Sequence, residues 1–364
     1  MKTLIYPFDR QFLPLIRHQA YPSELEIEYC VAPNGWGFSN KDIGIFDLGE
    51  PVGKRATSDF DGSLEQCEAV IICKWDKFLR RDIVYDKLIK SANAGKHIYC
   101  CIDLNLEEYE YVYSLVTEHC KTFTYYNTNL DSQDQEILAG YSDSILQIDT
   151  PVIMVFGIME QVSKFDTQLA LRQYLKDLGY SVSVVSSRTY GAIAGFHPTP
   201  FFLLETDIPE AKKVSMLNGF IKNIELNEKP DLIIIGVPGG ILPIDNKISN
   251  GFGITGFEVT QAVTPDVAIV NIPHEQYAAD YFQELDNIVK YRFSSLSNAY
   301  LVDNVFFDRS SQPTPDQYSM LQVDEDLELD LSAIRQPIFR KNNREELFRH
   351  VIDALASNAE NEIY

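Results

Sequence analysis

Short apolar runs rich in Val and Ile recur along the chain, and segments of helical character separate them. In the first half they are Lys2–Tyr6, Ile27–Ala32, Ala69–Cys73 and His97–Ile102. In the second half they are Val152–Phe156, Ser181–Val185, Asp231–Ile235 and Asp266–Asn271. Runs that are apolar throughout, instead of alternating with polar residues, belong to strands covered on both faces. That is the condition of a parallel sheet with crossover helices. Helices are predicted over Asp82–Ala94, Lys164–Leu178, Glu210–Glu225, the Glu275–Tyr291 region and Arg344–Leu355. Gly95 and Gly179 stop the first two, as glycine does where a helix closes in the left-handed conformation. The expected fold class is α/β, with a parallel-sheet domain over residues 1–149 and a second α/β domain over 150–308. An acidic segment and a C-terminal helix follow over 309–364. A chain of 364 residues is long enough for two such cores.

The first domain reads as Rossmann-like, yet its first strand is followed by Tyr6-Pro7-Phe8-Asp9, without the GxGxxG that cradles a dinucleotide. Ala32-Pro33-Asn34-Gly35-Trp36-Gly37-Phe38 follows the second strand. It reads as a tight turn with a packed tryptophan, or as a ligand loop at a strand's C-terminal end. The six cysteines all lie in the first third of the chain, with no CxxC spacing, and are expected as free buried thiols.

The formal net charge of −22 argues against nucleic-acid and anionic-membrane partners, which need a basic surface. No apolar run reaches the ~20 residues of a membrane span, and MKTLIYPFDR lacks the layout of a signal peptide. The expectation is a soluble, cytoplasmic protein. Val323–Leu331 carries five carboxylates and no basic residue; it reads as a solvated strap, with partner binding as the alternative.

The stretch that bears most on function is TPVIMVFGIMEQVSKFDT, residues 150–167. It runs from a strand through Gly157 to a helix opening at Ser163-Lys164, close to the layout of a phosphate-binding P-loop. There, backbone N–H groups and a lysine surround phosphate, and a hydroxyl holds Mg²⁺. Here the loop is one residue longer, Ser163 stands where glycine is usual, and Thr167 is the nearest hydroxyl beyond Phe165 and Asp166. Glu160 and Asp166 bring negative charge close to the phosphate position. The strand Asp231–Ile235 leads into Gly236, Gly239 and Gly240 but carries no carboxylate at its tip. A third glycine-spaced loop, Asn250–Gly256, follows. The candidate cofactor-binding residues are therefore Gly157, Ser163, Lys164, Thr167, Gly236, Gly239 and Gly240, for ATP or another nucleotide with Mg²⁺. The alternative is that these glycines serve tight turns alone. Arg188, His197 and His274 are further candidates at the same edge. No catalytic residue is assigned, and no metal-spaced His/Cys cluster is read.

The segments PVIMVFGIMEQVSKFDTQLALRQYLKDLGYSVSVVSSRTYGAIAGFHPTPFF, KPDLIIIGVPGGILP and NGFGITGFEVTQAV resemble the clostridial peptide-maturation-system protein family. So do APNGWGF and KYRFSSLSNAYLVDN. The resemblance implies an accessory protein in the maturation of a ribosomally synthesised peptide. Its partners would be the precursor peptide and a radical SAM maturase, with an oligomer possible. A more distant similarity is to a two-domain family with a Rossmann-like half and a P-loop NTPase half, whose loop reads glycine, five residues, then Gly-Lys-Met-Thr. It implies phosphate-binding roles for Gly157 and Lys164, and more loosely for Ser163 and Thr167. Ser163, Asp166 and Ile235 depart from that pattern. Two functions follow as expectations: ATP-dependent activation of a peptide carboxyl or hydroxyl, or a non-catalytic adaptor in which the P-loop region is purely structural.

Overall fold

A computed structural model describes residues 1–75, 79–126, 144–295, 297–311 and 319–361. The chain divides into two compact units, Met1–Asp131 with Thr189–Pro198, and Ser132–Arg188 with Thr199–Tyr364.

The first unit holds β1 (Lys2–Tyr6), β2 (Glu26–Val31), β3 (Ala56–Thr57), β4 (Ala69–Ile72), β5 (His97–Cys100) and β6 (Phe123–Tyr125). They form one sheet in the order β3-β2-β1-β4-β5-β6, every pair parallel. That order is the Rossmann one. Its helices are α1 (Leu13–Arg17), α2 (Phe60–Gln66), α3 (Arg81–Asn93) and α4 (Leu106–Glu118). Leu4, Val70, Ile72 and Ile98 of the strands pack with Val84, Leu88, Val112 and Val116 of the helices, all fully buried. α4 opens on a capping box, in which Asn105 and Glu108 exchange side-chain and backbone hydrogen bonds. After β1, where a dinucleotide fold has its glycine turn, the Asp9 carboxylate accepts from the Gln11 amide at 2.7 Å.

Two sequence expectations in this unit concern the glycine turn after β2 and the cysteines. Gly35 and Gly37 take left-handed φ of +90° and +76°, and Trp36 meets Phe38 edge-on at 6.2 Å. Cys30, Cys67, Cys73, Cys100 and Cys101 are buried free thiols, and Cys120 is exposed. Burial pushes Cys67 up to about 11 and both Cys30 and Cys100 up to about 12, so these thiols stay protonated and unreactive near neutral pH.

The second unit holds β7 (Val152–Gly157), β8 (Val182–Val185), β9 (Leu232–Gly236), β10 (Val267–Ile272), β11 (Ser297–Val302), β12 (Val305–Asp308), β13 (Ser319–Gln322) and β14 (Ile338–Arg340). Six of them make a parallel sheet in the order β14-β11-β10-β7-β9-β8, while β12 and β13 form a separate antiparallel pair. The helices are α5 (Lys164–Asp177), α6 (Glu210–Glu228), α7 (Ile254–Ala262), α8 (Ala279–Arg292) and α9 (Arg344–Asn361). Met154, Phe156, Ile233, Val270, Phe282, Phe293 and Tyr300 form the centre of its core, fully buried. The C-terminal residues belong to this sheet: β14 is its edge strand, and α9 packs on β11 and β14. Leu329 and Leu331 of the acidic stretch pack against the core, so the strap is anchored by its apolar residues. Most of the loop expected over residues 310–319 lies outside the described residues.

Candidate functional site

All six residues of β7 are buried. From this central strand the chain goes to β8 at one edge, returns through β9, and then crosses to β10 and runs out to the other edge. The loop after β7 therefore lies where the strand order reverses, the usual ligand position of an open α/β sheet. Gly157 ends the strand, and a side chain there would press on the Met159 carbonyl at 2.8 Å and on the Lys164 stem at 2.9 Å.

Lys164 opens α5 with only 4 % of its surface exposed. Its Nζ donates to the Gly239 carbonyl and pairs with the Glu160 carboxylate at 3.8 Å. Burial lowers the Lys164 pKa; Glu160 opposes that and the Arg188 charge adds to it. Glu160 moves the other way. The Lys164 ammonium holds its carboxyl below the ordinary value against the cost of burial, helped by Arg188 and by the N–H groups of Gly239 and Gln161. A lysine, two backbone N–H groups and an arginine field are what a P-loop offers to phosphate. Here a carboxylate of the loop itself receives them.

The start of α5 is filled in the same way. The Ser163 N–H donates to the Asp303 carboxylate at 2.6 Å. Ser163 has φ −56°, so no left-handed conformation calls for the missing glycine at that position; the left-handed residue of the loop is Gln161, at φ +63°. Asp166, where the distant family has a threonine, is buried and pairs with Lys341 at 3.3 Å and Arg344 at 3.5 Å. Thr167 Oγ1 donates to the Ser163 carbonyl at 3.2 Å and accepts from Asn271 Nδ2 at 2.8 Å. The hydroxyl is thus engaged within the fold.

Gly236 and Gly240 have packing reasons as well as proximity to the loop, and Gly239 a left-handed φ of +79°. A Cβ on Gly236 would run into the Gln168 amide, and one on Gly240 into the Asn250 amide. Asn250 Nδ2 donates to Ile158 O at 2.9 Å and Leu242 O at 2.7 Å, so the three glycine-bearing loops converge on one another. Gln168 is fully buried. It donates to Val185 O at 2.9 Å and accepts from the N–H and hydroxyl of Ser187, each at 3.1 Å. Because it has nowhere to go, Gly236→Ala is expected to cost about 1–3 kcal/mol by overpacking. Urea unfolding with the midpoint unchanged would refute this.

Of the other sequence candidates, Arg188 reaches the loop through its charge, whereas His197 belongs to the first unit. His274 lies beyond β10, in a different cleft. Asp303, Lys341, Arg344, Asn271 and Gln168 were not legible as site residues, because each depends on a distant part of the chain. Among the described residues, no group of three or more His, Cys, Asp or Glu could hold a metal ion. A Mg²⁺–nucleotide does not fit the side chains as they stand: Glu160 and Gly239 hold the lysine, and Lys341 and Arg344 hold Asp166.

No family model matches the sequence, and no curated protein matches it. Among solved structures, a DUF1611 family protein from Anabaena variabilis is similar at TM-score 0.56 and 12% identity, over 83% of this chain and 87% of that one. The signal recognition particle receptor FtsY from Elizabethkingia anophelis, solved in complex with GDP, scores 0.28 at 13% identity over 61% and 71%. The first likeness, with the strand orders above, shows the fold as α/β: two parallel-sheet units, the first in the Rossmann strand order. No helix among the described residues is long and apolar enough to cross a membrane.

Proposed function

We propose that this protein neither binds nor hydrolyses nucleotide at the loop after β7, and that it acts as an adaptor in the maturation of a ribosomally synthesised peptide. One observation carries the first part: Glu160 occupies the anion position of the loop after β7, on Lys164 and beside Gly239. The resemblance of the sequence segments quoted above to the peptide-maturation family supports the biological setting. The precursor peptide and a radical SAM maturase are the partners to test.

The test is a thermal-stability titration of the full chain with ATP and GTP, with and without Mg²⁺. A ligand at 100 times its Kd would add about 2.7 kcal/mol; no shift is the expected outcome. A nucleotide shift that vanishes in Lys164→Ala would overturn the reading. Failure of the chain to bind any precursor peptide encoded beside its gene would sink the adaptor role.

A second reading has one observation in its favour. The Glu160 side chain is 41% exposed, so it is free to swing into water and yield Lys164 to an incoming phosphate. ATP or another nucleotide would then bind with the backbone of Gly157–Lys164 as donor. Activation of a peptide carboxyl or hydroxyl would be the reaction class. The Lys164-dependent shift above is the result that favours it.

A further inference from the structure

The antiparallel pair of β12 and β13 is covered on one face only. Val305, Phe307 and Met320 are buried on that face, against Met159 and Val162. The opposite face of such a pair is ordinarily polar. Here it carries Phe306, 38% exposed, and Leu321, 51% exposed. The two are directly opposite each other in the ladder, where Cβ atoms lie about 4.5–5.5 Å apart. The ladder runs on into the acidic strap, since the Val323 N–H donates to the Asn304 carbonyl at 2.9 Å. Leu327 follows, also 51% exposed, and chain length alone keeps it within about 14 Å of Val323.

The strap is fixed through its backbone and its other leucines. Arg340 donates to the carbonyls of Glu325 and Leu327, the latter at 2.6 Å. The Leu327 N–H donates to the Asp324 carbonyl at 3.1 Å, and Leu329 and Leu331 pack against the core. Glu325 lines a narrow cleft with Arg340 and Lys341. The other four carboxylates, those of Asp324, Asp326, Glu328 and Asp330, belong to exposed residues. Asp324 accepts from the Asp326 N–H at 2.9 Å and Asp330 from the Ser332 N–H at 3.0 Å. Among the described residues, no ion pair engages any of the four. A strap that only closed the fold would turn its leucines inward and could take any polar residues outward. Here three large apolar side chains meet water beside four carboxylates without counter-ions, on a pinned backbone. Apolar side chains with a charged rim are the make-up of an interaction surface.

We propose that Phe306, Leu321 and Leu327, with the carboxylates of Asp324, Asp326, Glu328 and Asp330, form a docking surface for a cationic peptide segment. The segment carries a bulky apolar residue or pair flanked by lysines or arginines. The apolar side chains take the anchor out of water, and the carboxylates supply the missing counter-charge. Charge complementarity selects this occupant, since an anionic segment or an anionic membrane surface would meet repulsion from the strap. A backbone already held by Arg340 loses little freedom when the segment arrives. The surface does not depend on whether Lys164 ever meets a nucleotide, and it does not rest on the peptide-maturation setting.

The experiment is fluorescence anisotropy of the full chain with a short labelled peptide in which a Leu-Phe pair stands between lysines. Two comparison peptides replace the Leu-Phe pair by Ser-Ser, or the lysines by glutamates. The first peptide should bind, less tightly as salt is added. The Ser-Ser peptide should bind on the order of tenfold more weakly, and the glutamate peptide should not bind. A chain of net charge −22 attracts any cation, so two variants of equal charge locate the site. Asp324→Asn/Asp326→Asn/Glu328→Gln should weaken binding of the first peptide on the order of tenfold. Glu107→Gln/Glu110→Gln/Glu118→Gln, on α4, removes the same charge and should leave it within about twofold. Leu327→Ser and Leu321→Ser should each weaken it severalfold. Leu327 lies outside the ladder, so its variant carries the test if Leu321→Ser lowers the unfolding temperature. Equal losses in the two triple variants overturn the proposal. So does equal affinity for the Leu-Phe and Ser-Ser peptides, or absence of binding by the first.

Discussion

Asp303→Ala is expected to lower the stability of the second unit by about 3–5 kcal/mol, the range for breaking a buried charge network by deleting one member. Only 1% of the Asp303 side chain is exposed. Its two oxygens accept from the Ser163 N–H at 2.6 Å and the Asn304 N–H at 2.8 Å and face Lys341 at 4.0 Å. Alanine takes the acceptor from both N–H groups and one of its carboxylates from Lys341. Differential scanning calorimetry should place the unfolding temperature of this unit lower by on the order of 10 °C. Asp303→Asn keeps the shape and one acceptor oxygen, so it should lose less. Equal losses for the two variants would show that the charge, not the hydrogen bonding, carries the effect. No loss in either would refute the account of how α5 is anchored.

Glu160→Ala carries the largest expected change in ligand behaviour. Removing this carboxylate leaves Lys164, the Gly239 and Gln161 N–H groups and the Arg188 charge facing an empty position. The variant should bind phosphate or a nucleoside triphosphate at concentrations where the natural chain binds none. Isothermal titration calorimetry of the two proteins side by side checks this. Equal silence from both would mean that the loop is only a strand-to-helix connection. The pH dependence has a definite sign. The Glu160 carboxyl is held below its unfolded value near 4.5, so its contribution is present at neutral pH and lost as pH falls through the depressed folded value. In Glu160→Ala that acid-side component should be missing.

Much of this architecture was legible in the residues. Continuous Val/Ile runs and glycine-stopped helices located β1, β4, β5, β7, β8, β9 and β10, because a buried parallel strand leaves a strong local pattern. β3, β6 and β14 did not stand out, being two or three residues long and no more than partly buried for the most part. β11 begins with Ser297 and Asn298, which hides a strand whose Tyr300 is fully buried. In the site, the sequence showed Glu160 and Asp166 near the phosphate position but not what they do there. The partners of α5 lie far along the chain: Asp303 is 140 residues from Ser163, and Arg344 is 178 from Asp166. Local spacing carries no trace of such pairings, since they are set by which strand ends the sheet order brings together.

The edge position of β14 also imposes an order on synthesis. The sheet of the first unit has all its strands once residue 125 has been made, whereas that of the second lacks one until residue 340. The loop after β7 leaves the ribosome early, yet Lys341 and Arg344 emerge only after some 175 further residues. During that interval Asp166 lacks Lys341 and Arg344, and the apolar face that α9 will cover is open. Non-local closure of this kind is slow and leaves nascent chains exposed to aggregation. A host expressing this protein would therefore meet its chaperone demand in the second half of translation, and shortened chains ending before β14 should accumulate as insoluble material.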